Sequence, residues 1–454
     1  MRPKLDAQLY LPFRPFSDGK IVQDYRERYK RISDILDANP SFLDWVDADL
    51  RSLSMSNRGR EATYTSEILL RALVVYQIEA GGFRDAIIRI AESPALQEFV
   101  RLGTRKVMDF TLLQKAHKAL CPETWKAIND ELTGYGVAQG KITPSHIRTD
   151  TTLVESNIHY PTDSSLLWDC FRVLNRLLGR ARKIRRELCP NRFHGKKVKR
   201  LHIEITRGCG RVSKKAKREV GTLFGELIRQ VGRIKDIAQG FCSRTATEAD
   251  PELLGIRAEL QGYLPSVKKV VSIANRVQLK GEKVPASERI FSLFEPHTEL
   301  IQRGKKAKPV EFGHMVVLVQ TLEKFITDYE VMEHQEPDCE KLDEVIENHR
   351  AQFGAYPEVL AADTGFCADK EKMEELEKKV KVLAVRRRGR ASEEKKVLPL
   401  WYRFRAGIEG SISVLKRAYR MLRSLFRGFK SFDNNVGLGV FCHNLVVLAD
   451  LGAT

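Results

Sequence analysis

The pattern that most restricts this chain's fold is a single strand-like stretch stranded among helices. Residues 142–155, "ITPSHIRTDTTLVES" to within a residue, alternate apolar and β-branched side chains with no 3.6-residue period. Helical periodicity resumes near Ser165 and runs to about Val277 before strand-like sequence returns. A lone strand must pair, so its partners are expected far along the chain. The candidates are "RIFSLFEP", "VEFGHMVVLVQTL", "FITDYEVME", "YPEVLAADTGF" and "VKVLAV". Helices alternate with the later ones: one from Cys339 to about Gln352, one over "KEKMEELEKK", and one from Trp401 onward. The expectation is a mixed α/β sheet, interrupted after its first strand by a long helical segment.

Upstream, short helices follow one another from Ser66 to about Leu132. Ser66 is read as a cap for "EILLRALVVYQIEA", Gly81 and Gly82 as its end, and Thr111 as the cap of "LLQKAHKAL". Residues 1–60 read as an arm leading into these helices, and residues 61–138 as a helical domain of helix-turn-helix character.

Charge narrows the partners. The 454 residues carry a net charge of +18, which points to nucleic acid or an anionic membrane surface. No run of 18 uncharged apolar residues occurs; "VGLGVFCHNLVVLADLGA" contains His443, Asn444 and Asp450 and reads as a buried helix. The N-terminus lacks a signal-peptide core. The eight cysteines include no Cys-x-x-Cys pair, so structural zinc is not expected. Arg180–Arg200 holds ten basic residues against one acid, Glu187, and is a candidate phosphate-binding run.

In Trp401–Lys430, Glu409 is the one acid among eight arginines and lysines. At about 100° per residue, Tyr402, Arg405, Glu409 and Lys416 share roughly a 60° arc of a helix. Ile408, Ile412, Leu415, Tyr419, Leu422 and Phe426 form a separate apolar arc. Ala406, Gly407, Gly410 and Ser413 form a small-residue flank, read as open to a closely approaching partner. The bland alternative is a surface helix with an Arg405–Glu409 ion pair. Asp150 in mid-strand and Asp363 at a strand end are disfavoured there unless they hold a ligand. Two strand aspartates and a helical glutamate suit hard divalent ions in phosphoryl transfer. Asp163 and Asp169 compete with Asp150, and Asp369 with Asp363. Glu155 and Asn157 are possible supporting groups, whereas His159 and His314 read as core or hydrogen-bonded residues.

These segments resemble bacterial insertion-sequence transposases with an RNase H-like Asp-Asp-Glu core. "TDTTLVESNIHYPTDSSLLWD" is similar to the family's first-aspartate segment and "ADTGF" to its second. "YRFRAGIEGSISVLK" matches its Tyr-x2-Arg-x3-Glu-x6-Lys signature. The resemblance implies an α/β RNase H-like catalytic core over 139–163 and 288–454. It implies a basic helical insertion over 164–287 and an all-α DNA-binding domain over 61–138. Asp150, Asp363 and Glu409 would be catalytic, holding two Mg²⁺ ions (Mn²⁺ as a substitute). Tyr402, Arg405, Lys416, Arg417, Arg386, Arg387, Arg388, Lys115 and Lys118 would touch DNA. The implied partners are double-stranded transposon-end and target DNA, with a homodimer on DNA and no membrane, in a bacterial cytoplasm at the nucleoid. Relatives that only cut DNA, or only bind it, are the alternatives.

Overall fold

The computed structural model describes residues 19–53, 62–79, 81–302, 308–385 and 399–452. Arg386, Arg387 and Arg388 lie outside them. The chain divides into two compact units, one comprising residues up to 156 and from 313 onward, the other residues 157–312. Among the described residues the strands are β1 (His146–Ser156), β2 (Glu299–Gln302), β3 (Val310–Thr321), β4 (Ile326–Val331), β5 (Val359–Ala362), β6 (Val382–Val385) and β7 (Arg423–Ser424).

In the first unit β1 is central. One edge pairs antiparallel with β3 from Ile147↔Thr321 to Glu155↔Gly313, and β3 carries β4 antiparallel on its far side. The other edge of β1 is used twice. Parallel β5 covers His146 to Arg148, and β7 covers Glu155 and Ser156. β6 continues the sheet parallel to β5. From Gly313 to Thr321 every residue of β3 is buried, as expected of a strand covered on both faces. A side chain at Gly313 would collide with the backbone of Val154 and Glu155, so only glycine permits this approach of β3 to β1.

Helices Lys20–Ala38, Phe42–Leu50, Ser66–Ile78, Phe83–Glu92, Pro94–Val100, Phe110–Ala119 and Pro122–Ala138 share one core with the sheet and the C-terminal helix Phe429–Leu451. The caps differ by one or two residues from those expected. Thr65, not Ser66, accepts from the Ile68 N–H, and Asp109, not Thr111, accepts from the Thr111 N–H. Helix Ser66–Ile78 is buried nearly all round, which explains its apolar sequence on every face. The C-terminal helix is likewise buried and fastens β4. Asn444 Oδ1 accepts from the Ile326 N–H at 2.9 Å, while its Nδ2 donates to Ile326 O and Asn129 Oδ1 at 2.7 Å each.

The second unit stacks helices Asp163–Ile184, Gly195–Gly208, Lys214–Arg244 and Pro251–Ala274 around their own core. "RIFSLFEP" is not a strand. Ser292 Oγ accepts from the N–H groups of Phe294 and Glu295, which curls the segment and turns Ile290 and Leu293 into the helical core. No helix among the described residues is long and apolar enough to cross a membrane.

Replacing Asn444 with Leu keeps the branched shape but leaves the buried Ile326 N–H without its Asn444 acceptor and Asn129 Oδ1 without its Asn444 donor. A loss of about 1–3 kcal/mol is expected, read as a lower urea midpoint; an unchanged midpoint would contradict this role.

Candidate active site

The site grows from the uncovered part of β1's edge. β5 stops pairing after Arg148 and β7 begins at Glu155, so residues 149–154 face a gap there. Arg148 is level with Ala361 at the last pair of this ladder; Asp363 follows two residues after Ala361, as Asp150 follows Arg148, and the charge of Asp363 bears on Asp150. Asp363 leaves β5 in an extended conformation and opens a 3-10 turn, Thr364–Phe366, anchored by the buried Phe366.

The Asp150 carboxylate is 18% exposed and lies 3.6 Å from Arg405 Nη1. Its Oδ1 accepts from the Thr151 N–H at 2.8 Å. Burial pushes its pKa up to about 6; the Thr151 N–H and Arg405 oppose the rise, and the charges of Asp363 and Asp338 add to it.

Arg405 and Glu409 ride on helix Pro399–Ala418. Arg405 Nη2 donates to Glu409 Oε1 at 2.9 Å, with the glutamate 63% exposed. One guanidinium therefore contacts both Asp150 and Glu409. The helix is set against β1 by Arg148, whose Nη1 donates to Phe404 O at 2.7 Å and whose Nε donates to Gln320 Oε1 at 2.9 Å. Its guanidinium also lies over the Phe404 ring, and burial lowers its pKa to about 10. A Cβ at Gly407 would collide with this guanidinium. Gly407 is thus small to admit Arg148, a correction to the expectation that it opens onto an external partner. Gly410 does face open space.

The helix also ends earlier than its apolar arc suggested. It stops at Ala418, Arg420 takes a left-handed φ of 58°, and the Met421 N–H returns to Leu415 O. Arg420 Nη2 donates to Tyr76 O and Glu79 O, which holds this unfavourable backbone in place. Leu422 is consequently exposed rather than buried, and Arg423 pairs with Glu155 at 2.6 Å.

Tyr402 and Lys416 are half-buried on the same helix, and Arg417, exposed, donates to Ser413. Lys115 and Lys118 are exposed on helix Phe110–Ala119. The rival acids have other partners. Asp163 accepts from Gln278, Asp169 from Arg172, and Asp369 caps helix Lys370–Lys379 through the Lys372 N–H. Asp338 is an acid that sequence reasoning passed over, because the helix was expected to begin at Cys339. It begins at Asp338, whose Oδ2 accepts from Thr151 Oγ1 at 3.2 Å. Its only sequence signal is an aspartate after Pro337, which reads as an ordinary helix start.

The structure thus brings Asp150, Asp363 and Asp338 to one gap and links Glu409 to it through Arg405. Among the described residues, no three His, Cys, Asp or Glu side chains are grouped closely enough to hold a metal ion in this state.

Residues 295–445 match the family model described as "Transposase DDE domain". That span includes Asp363 and Glu409 but not Asp150. No curated protein and no solved structure matches the chain.

A carboxyl whose pKa is higher folded than unfolded favours folding when protonated. Asp150 therefore costs stability as pH rises from about 4 to about 6, with the full cost above that window. In EDTA, Asp150→Asn should raise the melting temperature at pH 8 and change it little at pH 4. An equal effect at both values would contradict the assignment.

Proposed function

On the premise that this chain belongs with the insertion-sequence transposases of the DDE type, we propose that it cuts DNA at the ends of its own element and joins the freed 3′-hydroxyl to target DNA. Asp150, Asp363 and Glu409 carry the reaction, on a sheet of RNase H-like design. The observation that supports this most is that Arg405 contacts both Asp150 and Glu409, while Asp363, just beyond the strand paired parallel to β1, bears on Asp150 through its charge.

The donors fit a hard divalent ion. All are carboxylate oxygens, and the charges of Asp363 and Asp338 bear on Asp150 with Arg405 as the opposing cation. Asp150, Asp363 and Glu409 would hold two Mg²⁺ ions, or Mn²⁺ in their place. When bound, such ions activate the attacking hydroxyl and neutralise the leaving oxygen. Arg405 has a second task in the protein alone: it neutralises Asp150 and Glu409 together. Turning Arg405 onto a DNA phosphate frees both acids, and the exposure of Glu409 leaves it room to move. Water is the nucleophile for cutting, and a DNA 3′-hydroxyl for joining.

Tyr402, Lys416 and Arg417, on the helix of Glu409, would follow the DNA backbone, and Lys115, Lys118 and Arg386–Arg388 would add further contacts. The helices of residues 61–138 would recognise terminal inverted repeats. Holding two ends together calls for at least a dimer on DNA, at the nucleoid.

With labelled element-end DNA, Mg²⁺ and a plasmid, both cut ends and joined products are expected. Cut ends with no joined product would overturn transposition in favour of a nuclease. Asp363→Ala should abolish both products and leave end binding within about threefold; unchanged products would remove Asp363 from the chemistry.

The second unit's basic run supplies a separate check. Arg180, Arg185 and Arg200 are already paired with Glu259, Glu248 and Glu204, whereas Lys183, Arg186, Arg192, Lys196 and Lys199 are exposed. Neutralising Lys183, Lys196 and Lys199 should lower the log–log salt slope of DNA binding by roughly 2–3. An unchanged slope would make this run a solvated face.

A further inference from the structure

We infer that Asp338 is a fourth acid of the catalytic centre, a positioning residue that strengthens the hold of Asp150 and Asp363 on a divalent cation. The inference rests on the metal-centre reading above and adds to it a residue on a separate element. Asp338 is the first residue of helix Asp338–Phe353. It reaches across the gap in the sheet, where its Oδ2 accepts from Thr151 Oγ1 at 3.2 Å. Thr151 follows Asp150 on β1 and points to the opposite face. Asp338 therefore approaches Asp150 from behind the strand, while Arg405 and Glu409 approach from the front.

Asp338 also lies close to the turn that follows the other aspartate. Gly365 lies two residues after Asp363 in the turn that ends β5, and a Cβ placed there would stand 3.1 Å from Asp338 Oδ2. The same carboxylate oxygen is thus fitted against both the residue after Asp150 and the turn that carries Asp363. An ordinary helix-start aspartate requires neither contact. Its charge lies within range of Asp150. A half-buried negative charge behind two acids raises the attraction of that point for a cation.

Asp338→Asn keeps the shape and removes the charge. Manganese binding to the full-length protein, followed by electron paramagnetic resonance, should weaken about tenfold, the lower end of what loss of an outer-shell partner costs. The Mg²⁺ concentration giving half-maximal cleavage should rise by the same factor. A purely structural role would lower the melting temperature in EDTA and leave the metal dependence alone. Asp338→Glu, which retains the charge, should keep manganese affinity within about threefold of the parent protein. Thr151→Val should fall between Asp338→Glu and Asp338→Asn.

Unchanged manganese affinity in Asp338→Asn, with affinity lost in Asp363→Asn, would overturn the role of Asp338 alone. Unchanged affinity in Asp363→Asn as well would overturn the metal centre itself, and this inference with it.

Discussion

The buried guanidinium of Arg148 sets the geometry on which the site depends. Removing a guanidinium from water is costly unless its donors are satisfied. Here Phe404 O and Gln320 Oε1 receive them, and the Phe404 ring covers the flat face. The result is a register between a strand and a helix that are distant in sequence. Arg148 meets Phe404, and two residues along the same face of β1, Asp150 meets Arg405, the next residue of the helix. Gly407 belongs to the same fitting, since a larger residue would drive the helix off the guanidinium. Glu409 then lies one turn beyond Arg405 and is brought to the edge of the site.

The second determinant is the incomplete edge of β1. Because β5 is only four residues long and β7 only two, the middle of β1 lacks a strand partner on that side. A strand end, a helix start and a helix face converge there instead: the turn after Asp363, the start of the helix at Asp338, and the face of helix Pro399–Ala418. Crevices at the carboxyl ends of parallel strands are where α/β sheets place ligands. This one gathers negative charge, held in the protein alone by Arg405.

Much of this was legible in the sequence because local patterns fixed it. β-branched alternation marked the strand bearing Asp150, and an apolar run leading into Asp-Thr-Gly-Phe marked the strand that ends just before Asp363. The helix Lys370–Lys379 coincides with its charged repeat. What could not be read depended on partners distant in sequence. Gly407 suggested an opening because nothing nearby reveals that Arg148 fills it. The apolar arc ran on through Leu422 because the helix stop at Arg420 is held by the carbonyls of Tyr76 and Glu79, over three hundred residues away. "RIFSLFEP" has strand-like composition, yet the Ser292 turn and the helical core of the second unit take its side chains. Asp338 sits in an unremarkable context whose meaning comes from Thr151 and Gly365.

The most direct measurement is anomalous diffraction from crystals of the protein with element-end DNA and Mn²⁺. Expected are manganese peaks about 2.0–2.6 Å from carboxylate oxygens of Asp150, Asp363 and Glu409, with Arg405 turned away to a phosphate. Manganese bound elsewhere, or Glu409 still joined to Arg405 beside a metal held without it, would contradict the assignment of these three acids.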